Sequence, residues 1–161
     1  MKPELIHKPG FTMAGISTRT SNDLETNQET ARIPVLWGRI FKENIFEHIP
    51  SKVSPGGLVA VYTDYDGDHT AQYTLVVGAV IQAESDTVIP TGMVMEQVPE
   101  QDYLQFAVRG KMPDALIQTW RDIWSYFDGT KPHLRTYQAD FEEYNADGSE
   151  AEIYIGVRPR Q

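Results

Sequence analysis

The stretch Glu150-Ala151-Glu152-Ile153-Tyr154-Ile155-Gly156-Val157 decides the fold. Ile153, Ile155 and Val157 alternate with Glu152, Tyr154 and Gly156, and successive strand side chains point to opposite faces. One face of a final strand is therefore aliphatic, and the other carries a carboxylate and an aromatic ring. Working backward, the turn Asn145-Ala146-Asp147-Gly148 joins this strand to Arg135–Tyr144 as a hairpin. Leu58–Tyr65 and Gln72–Gln82, separated by Asp66-Gly67-Asp68-His69-Thr70, form a second hairpin.

Helices precede both hairpins. Pro113–Phe127 carries Leu116, Trp120, Ile123, Trp124 and Phe127 at helical spacing, and Asp128-Gly129 ends it. Residues 30–46 carry Ile33, Leu36, Trp37, Ile40, Phe41 and Ile45 on one stripe, with Pro34 in the first turn. Residues 4–20 and 92–110 read as extended chain broken at Pro9-Gly10 and Pro99; residues 17–28 read as a loop, Pro50–Gly57 as a turn and 83–91 as a connector.

The two sets match. Trp37-Gly38-Arg39-Ile40-Phe41 parallels Trp120-Arg121-Asp122-Ile123-Trp124, and Tyr62-Thr63-Asp64-Tyr65 parallels Phe141-Glu142-Glu143-Tyr144. Thr74–Gly78 parallels Glu152–Gly156. The expected fold is α+β: one domain over 1–161, built from two strand-helix-strand-strand units at about 3–82 and 92–158, with a cleft between them. In this matching Glu152 answers Thr74, so the symmetric scaffold acquires one off-centre charge. A register closing Asn145 on Gly148 sets Phe141 opposite Glu152 and Tyr137 opposite Gly156, all on the carboxylate's face.

Composition narrows the partners. With 23 acidic and 14 basic residues the net charge is −9, which disfavours nucleic acid and anionic membranes. There is no Cys, which excludes disulfides and thiolate chemistry. His7, His48, His69 and His133 are scattered without metal-ligand spacing. Asp64, Asp66 and Asp68 do not make a calcium loop, because the sixth and twelfth positions from Asp64 hold His69 and Leu75. No cofactor or metal is expected. Without a long apolar run or a leader-like N-terminus, the expectation is a cytoplasmic protein.

The order of these motifs resembles the GyrI-like small-molecule-binding superfamily, which includes effector-binding domains of bacterial transcription activators. The resemblance runs from about residue 3 to 158 and is nearest to stand-alone, integron-cassette-associated members. It implies duplicated βαββ (SHS2-like) units, a curved antiparallel sheet, two main helices and a pocket between the halves. It also implies a carboxylate on the last strand, here Glu152, that pairs with cationic lipophilic ligands. Gly156 departs from the proline often found there in relatives. Because the repeat begins within the first ten residues, no DNA-binding domain is expected ahead of the pocket.

The leading expectation is a non-catalytic module that captures cationic, amphipathic aromatic compounds. Glu152 supplies charge, and Trp37, Tyr62, Trp120, Tyr137 and Phe141 supply walls. Two alternatives stand beside it. One is a hydrolase of electrophilic small molecules, implied by some relatives, with Glu152 as general base. The other is an acidic module that docks on a basic protein surface, as some relatives act on a topoisomerase.

Overall fold

The computed structural model describes residues 2–53, 56–84 and 86–160; Pro55 of the expected 50–57 turn and Ser85 of the 83–91 connector lie outside them. The strands are β1 (Glu4–Lys8), β2 (Phe11–Ser21), β3 (Val59–Thr63), β4 (Gln72–Ile81), β5 (Val94–Val98), β6 (Gln101–Val108), β7 (His133–Tyr144) and β8 (Ala151–Pro159). The helices are α1 (Asn22–Glu25), α2 (Ile33–Lys42), α3 (Ile45–His48) and α4 (Asp114–Tyr126).

Two differences from the sequence reading have local causes. The first helix splits at Asn44, whose φ of 50° places it in the left-handed region that Asn tolerates, so α3 starts on a new axis. The expected loop from Ser17 begins instead as strand, because Thr18 and Thr20 extend the ladder opposite Leu75 and Tyr73. Ser21 then caps α1 by accepting from the Leu24 amide.

All strands form one antiparallel sheet in the order β1-β6-β8-β7-β3-β4-β2-β5. Its centre is symmetric: β6-β8-β7 on one side answers β2-β4-β3 on the other. Each proline-broken leader strand crosses to the other half, β1 pairing with β6 and β5 with β2. Lys8↔Gln101 and Phe11↔Val98 belong to one continuous register, so Pro9-Gly10 and Pro99-Glu100 face each other where the two bent strands cross. At that crossing a Cβ on Gly10 would lie 2.9 Å from the Val98 carbonyl oxygen.

This crossing ties the ends of the sheet together and bends it until one face becomes an interior. Met13, Tyr103, Phe141 and Tyr154 fill that interior. Phe11 and Phe141 lie three strands apart in the sheet, yet their rings meet edge to face at 5.1 Å. The opposite face carries the helices. Leu36 and Ile40 of α2 pack on Ala14, Ile16, Leu75 and Val77, while Ile123 of α4 packs on Phe106, Ile153 and Ile155. Each helix thus covers its own half, leaving β3 and β7 beneath the gap between them.

The bend demands close strand approach at Gly15↔Gly78. A Cβ on Gly78 would fall 1.9 Å from the Ala14 carbonyl oxygen, and one on Gly15 would fall 2.0 Å from that of Val77. Backbone oxygens cannot step aside without breaking the ladder. Gly78→Ala is expected to cost about 3 kcal/mol, which thermal unfolding would register as a Tm lower by about 6–12 °C.

Candidate functional site

The central strand β7 places Asp140, Glu142 and Tyr144 on the helix side, since strand side chains alternate and Phe141 faces the interior. Two of these are carboxylates with essentially no exposure, Asp140 at 0% and Glu142 at 1%. Buried acids need partners, and each has found different ones.

Asp140 is neutralised. Its Oδ2 accepts from Arg135 Nη2 at 2.7 Å and from the Tyr65 hydroxyl at 2.6 Å, and its Oδ1 accepts from the Gly156 amide at 2.8 Å. Glu142 is not. Its Oε2 accepts from the Tyr62 hydroxyl and from Trp120 Nε1, both at 2.7 Å, and its Oε1 accepts from the Tyr144 hydroxyl at 2.6 Å. Among the described residues no Lys, Arg or His forms an ion pair with Glu142.

Three hydrogen bonds to a charged group offset part of the cost of taking the ion out of water. The balance tilts toward burial: it pushes the Glu142 carboxyl up in pKa, and the Tyr144, Tyr62 and Trp120 donors only partly pull it back. Burial likewise drives the Tyr62 and Tyr144 phenols well above their ordinary value, reinforced by the Glu142 charge. Both phenols therefore stay protonated and donate.

The donors form a symmetric frame. Trp37 of α2 meets Tyr144 edge to face at 5.4 Å, and Trp120 of α4 meets Tyr62 the same way at 5.2 Å. A twofold exchanging these two contacts passes through the Ala60↔Glu142 pair of the β3–β7 ladder. One half brings a methyl where the other brings a carboxylate.

Above this frame lies a cavity of about 350 Å³ between α1, the start of α2 and α4, bordered by Glu25, Tyr62, Tyr65, Tyr73, Trp120 and Trp124 among others. Its floor is a row of phenols, with Tyr73 5.7 Å from both Tyr62 and Tyr65. Glu142 lies directly behind the Tyr62 and Trp120 walls. A second hollow of about 460 Å³, holding Tyr137, shares Trp124, His69 and Arg135 with the first.

Among the residues singled out from sequence, Tyr62 and Trp120 border the cavity. Trp37 stands one contact away, on Tyr144. Tyr137 sits in an irregular stretch of β7, with φ 54° between the Arg135 and Asp140 register shift, and stacks on Arg135 beside the second hollow.

Glu152 and Phe141 require correction. The aliphatic face of β8 is the helix side, so Glu152 points the other way, opposite Ala107 and Glu143, where it pairs with Arg109 at 2.8 Å. Water screens that ion pair, so it adds little to stability. Phe141 lies opposite Tyr154, two residues from the expected register, and stacks on it at 4.6 Å in the sheet interior. Matching Tyr62 with Phe141 puts them on one face; the sheet instead sets Tyr62 against Tyr144, with Phe141 behind. The missed residues are Glu142, Tyr144, Tyr65, Tyr73 and Glu25. Among the described residues no group of His, Asp and Glu is arranged to hold a metal, and no helix is long and apolar enough to cross a membrane.

A curved sheet with two helices flanking an aromatic, acid-bearing cleft is the architecture of an effector-binding domain. The profile of the integron-associated effector-binding proteins, Cass2, matches residues 4–157, and the chain belongs to that family. It is 30% identical over 151 residues to the putative transcriptional regulator YobU of Bacillus subtilis, covering 90% of this chain and 91% of that protein. The integron cassette protein VCH_CASS2, from the mobile metagenome of Vibrio cholerae, superposes with a TM-score of 0.79 at 28% identity over 97% of this chain and 95% of that one. SAV2435, in a structure bound to tetraphenylphosphonium, superposes with a TM-score of 0.76 at 16% identity over 98% and 94% of the two chains.

The buried acid has a consequence for stability. Because the folded protein raises the Glu142 pKa, it holds that proton more tightly than the unfolded chain does. Stability then falls as pH rises from the ordinary carboxylate range through the raised value. Glu142→Gln keeps an acceptor oxygen for Tyr62 and Trp120, and its amide donates to the Tyr144 oxygen. Thermal melts of the ligand-free proteins should show the variant more stable than the wild type at neutral pH, with the gain vanishing below about pH 4.

Proposed function

We propose that this protein is a non-catalytic receptor that captures cationic, amphipathic aromatic compounds in the cavity between its two halves. The observation that carries the reading is Glu142: a carboxylate 1% exposed, held among the described residues by neutral donors alone, behind an aromatic wall. A lipophilic cation seated on that wall supplies the opposite charge that the fold withholds. Its rings meet Tyr62, Trp120 and Trp124, each cation–aromatic contact contributing about 0.5–2 kcal/mol.

Charge and stacking fix few directions, so breadth toward flat cations follows, whereas fixed donors and acceptors would reject close analogues. The fold itself accommodates such an ion, since SAV2435 is described with tetraphenylphosphonium. Titration with lipophilic cations should quench tryptophan fluorescence saturably, through Trp120 and Trp124, while neutral isosteres and anions do not. Glu142→Gln should weaken cation affinity about tenfold or more. Unchanged affinity in that variant would reject the reading.

One observation favours a second reading. A buried carboxyl with a raised pKa between two phenols is also suited to general acid–base chemistry, with Glu142 as base toward an electrophilic substrate. Hydrolysis of such a compound, abolished in Glu142→Gln with the fold intact, would move the assignment to an enzyme.

A further inference from the structure

The cavity borders a second carboxylate that no basic side chain neutralises among the described residues. Glu25 ends α1 and stands half-buried at the cavity wall. Its Oε2 accepts from the Thr20 hydroxyl at 2.5 Å and from the Arg32 amide at 2.9 Å, and its Oε1 accepts from the Ile33 amide at 3.1 Å. These donors are neutral, as they are for Glu142. The first turn of α2 offsets roughly half a charge at that end, so a partial negative pole is left facing the cavity.

The two poles approach the phenol row from different elements, Glu142 from β7 and Glu25 from α1. Tyr62 donates to Glu142. Tyr73, its ring 5.7 Å from that of Tyr62, extends the row toward α1, where its hydroxyl donates to Asn22 Oδ1 at 3.1 Å. Burial raises the Tyr73 phenol, and the charges of Glu25 and then Glu142 raise it further, which places its hydroxyl in the field of both. The cations that border the same space do not cancel these poles. Arg135 is paired with Asp140, and Arg121 stands at the exposed rim, where water screens it.

We infer that the cavity is a two-pole site, with Glu142 behind its Tyr62–Trp120 wall and Glu25 on its α1 wall, that selects dications with an aromatic body over monocations of the same length. The inference rests on the cation-capture reading and adds the ligand's charge number and shape. Amidinium groups suit such a site, because their charge is spread over a flat group that continues the plane of an aromatic ring and so stacks on the phenol and indole walls.

The test compares two probes of equal length: two benzamidines joined by an alkyl chain, and the same molecule with one amidine replaced by a neutral carboxamide. Affinities come from calorimetric titration of the intact chain. The wild type should bind the dication about tenfold more tightly than the single-charge analogue. In Glu25→Gln the two probes should bind alike, and in Glu142→Gln both should weaken.

Equal binding of the two probes by the wild type overturns the two-pole inference and leaves cation capture standing, and it needs no variant to fold. Survival of the dication preference in Glu25→Gln overturns the assignment to Glu25. Failure of every cation to bind the wild type overturns cation capture itself, and the two-pole inference with it.

Discussion

The burial of Glu142 without a cation is the constraint on which the site depends. A carboxylate taken from water is tolerated only if donors surround it, and three side chains provide them, Tyr62 from β3, Tyr144 from its own strand and Trp120 from α4. Those hydrogen bonds set the orientation of the aromatic walls. The indole of Trp120 turns its N–H to the acid and meets Tyr62 edge to face, and Trp37 supports Tyr144 from the other helix. Charge and shape are therefore one arrangement: the side chain that carries the charge is also the one on which the aromatics that enclose the cavity are hydrogen-bonded.

That arrangement needs a gap between helices above a rigid floor, and the sheet provides it by joining its own ends. The exchange of β1 and β5 between halves forces the bend, and glycines at Gly10, Gly15 and Gly78 let backbones approach where it is sharpest. The interior face is then closed by Met13, Tyr103, Phe141 and Tyr154, leaving the helix face of β3 and β7 as the sheet surface beneath the cleft. Symmetry alone would leave this floor uncharged. The Ala60↔Glu142 pair at the centre breaks it.

Much of this is legible in the chain. The helical stripes of Trp37 and Trp120, both hairpins, the proline breaks at Pro9 and Pro99 and the paired halves follow from periodicity, because local backbone geometry imposes it. The site is legible in kind and misplaced in position. Asp140, Glu142 and Tyr144 alternate with Ala139, Phe141 and Glu143, a pattern that reads as a solvated strand face. Glu152 stands out instead because it interrupts an otherwise aliphatic strand.

The sequence by itself determined the α+β class, the two-unit order and the supply of carboxylates and aromatics, since these depend on residue types and short-range spacing. Only the tertiary structure decided which carboxylate is buried. Parity along a strand tells which side chains share a face, and nothing local tells which face a helix will cover. The packing of α2 and α4 made that choice: both helices cover the sheet face that carries Ile153 and Ile155, which places Glu142 beneath them and Glu152 on the other face.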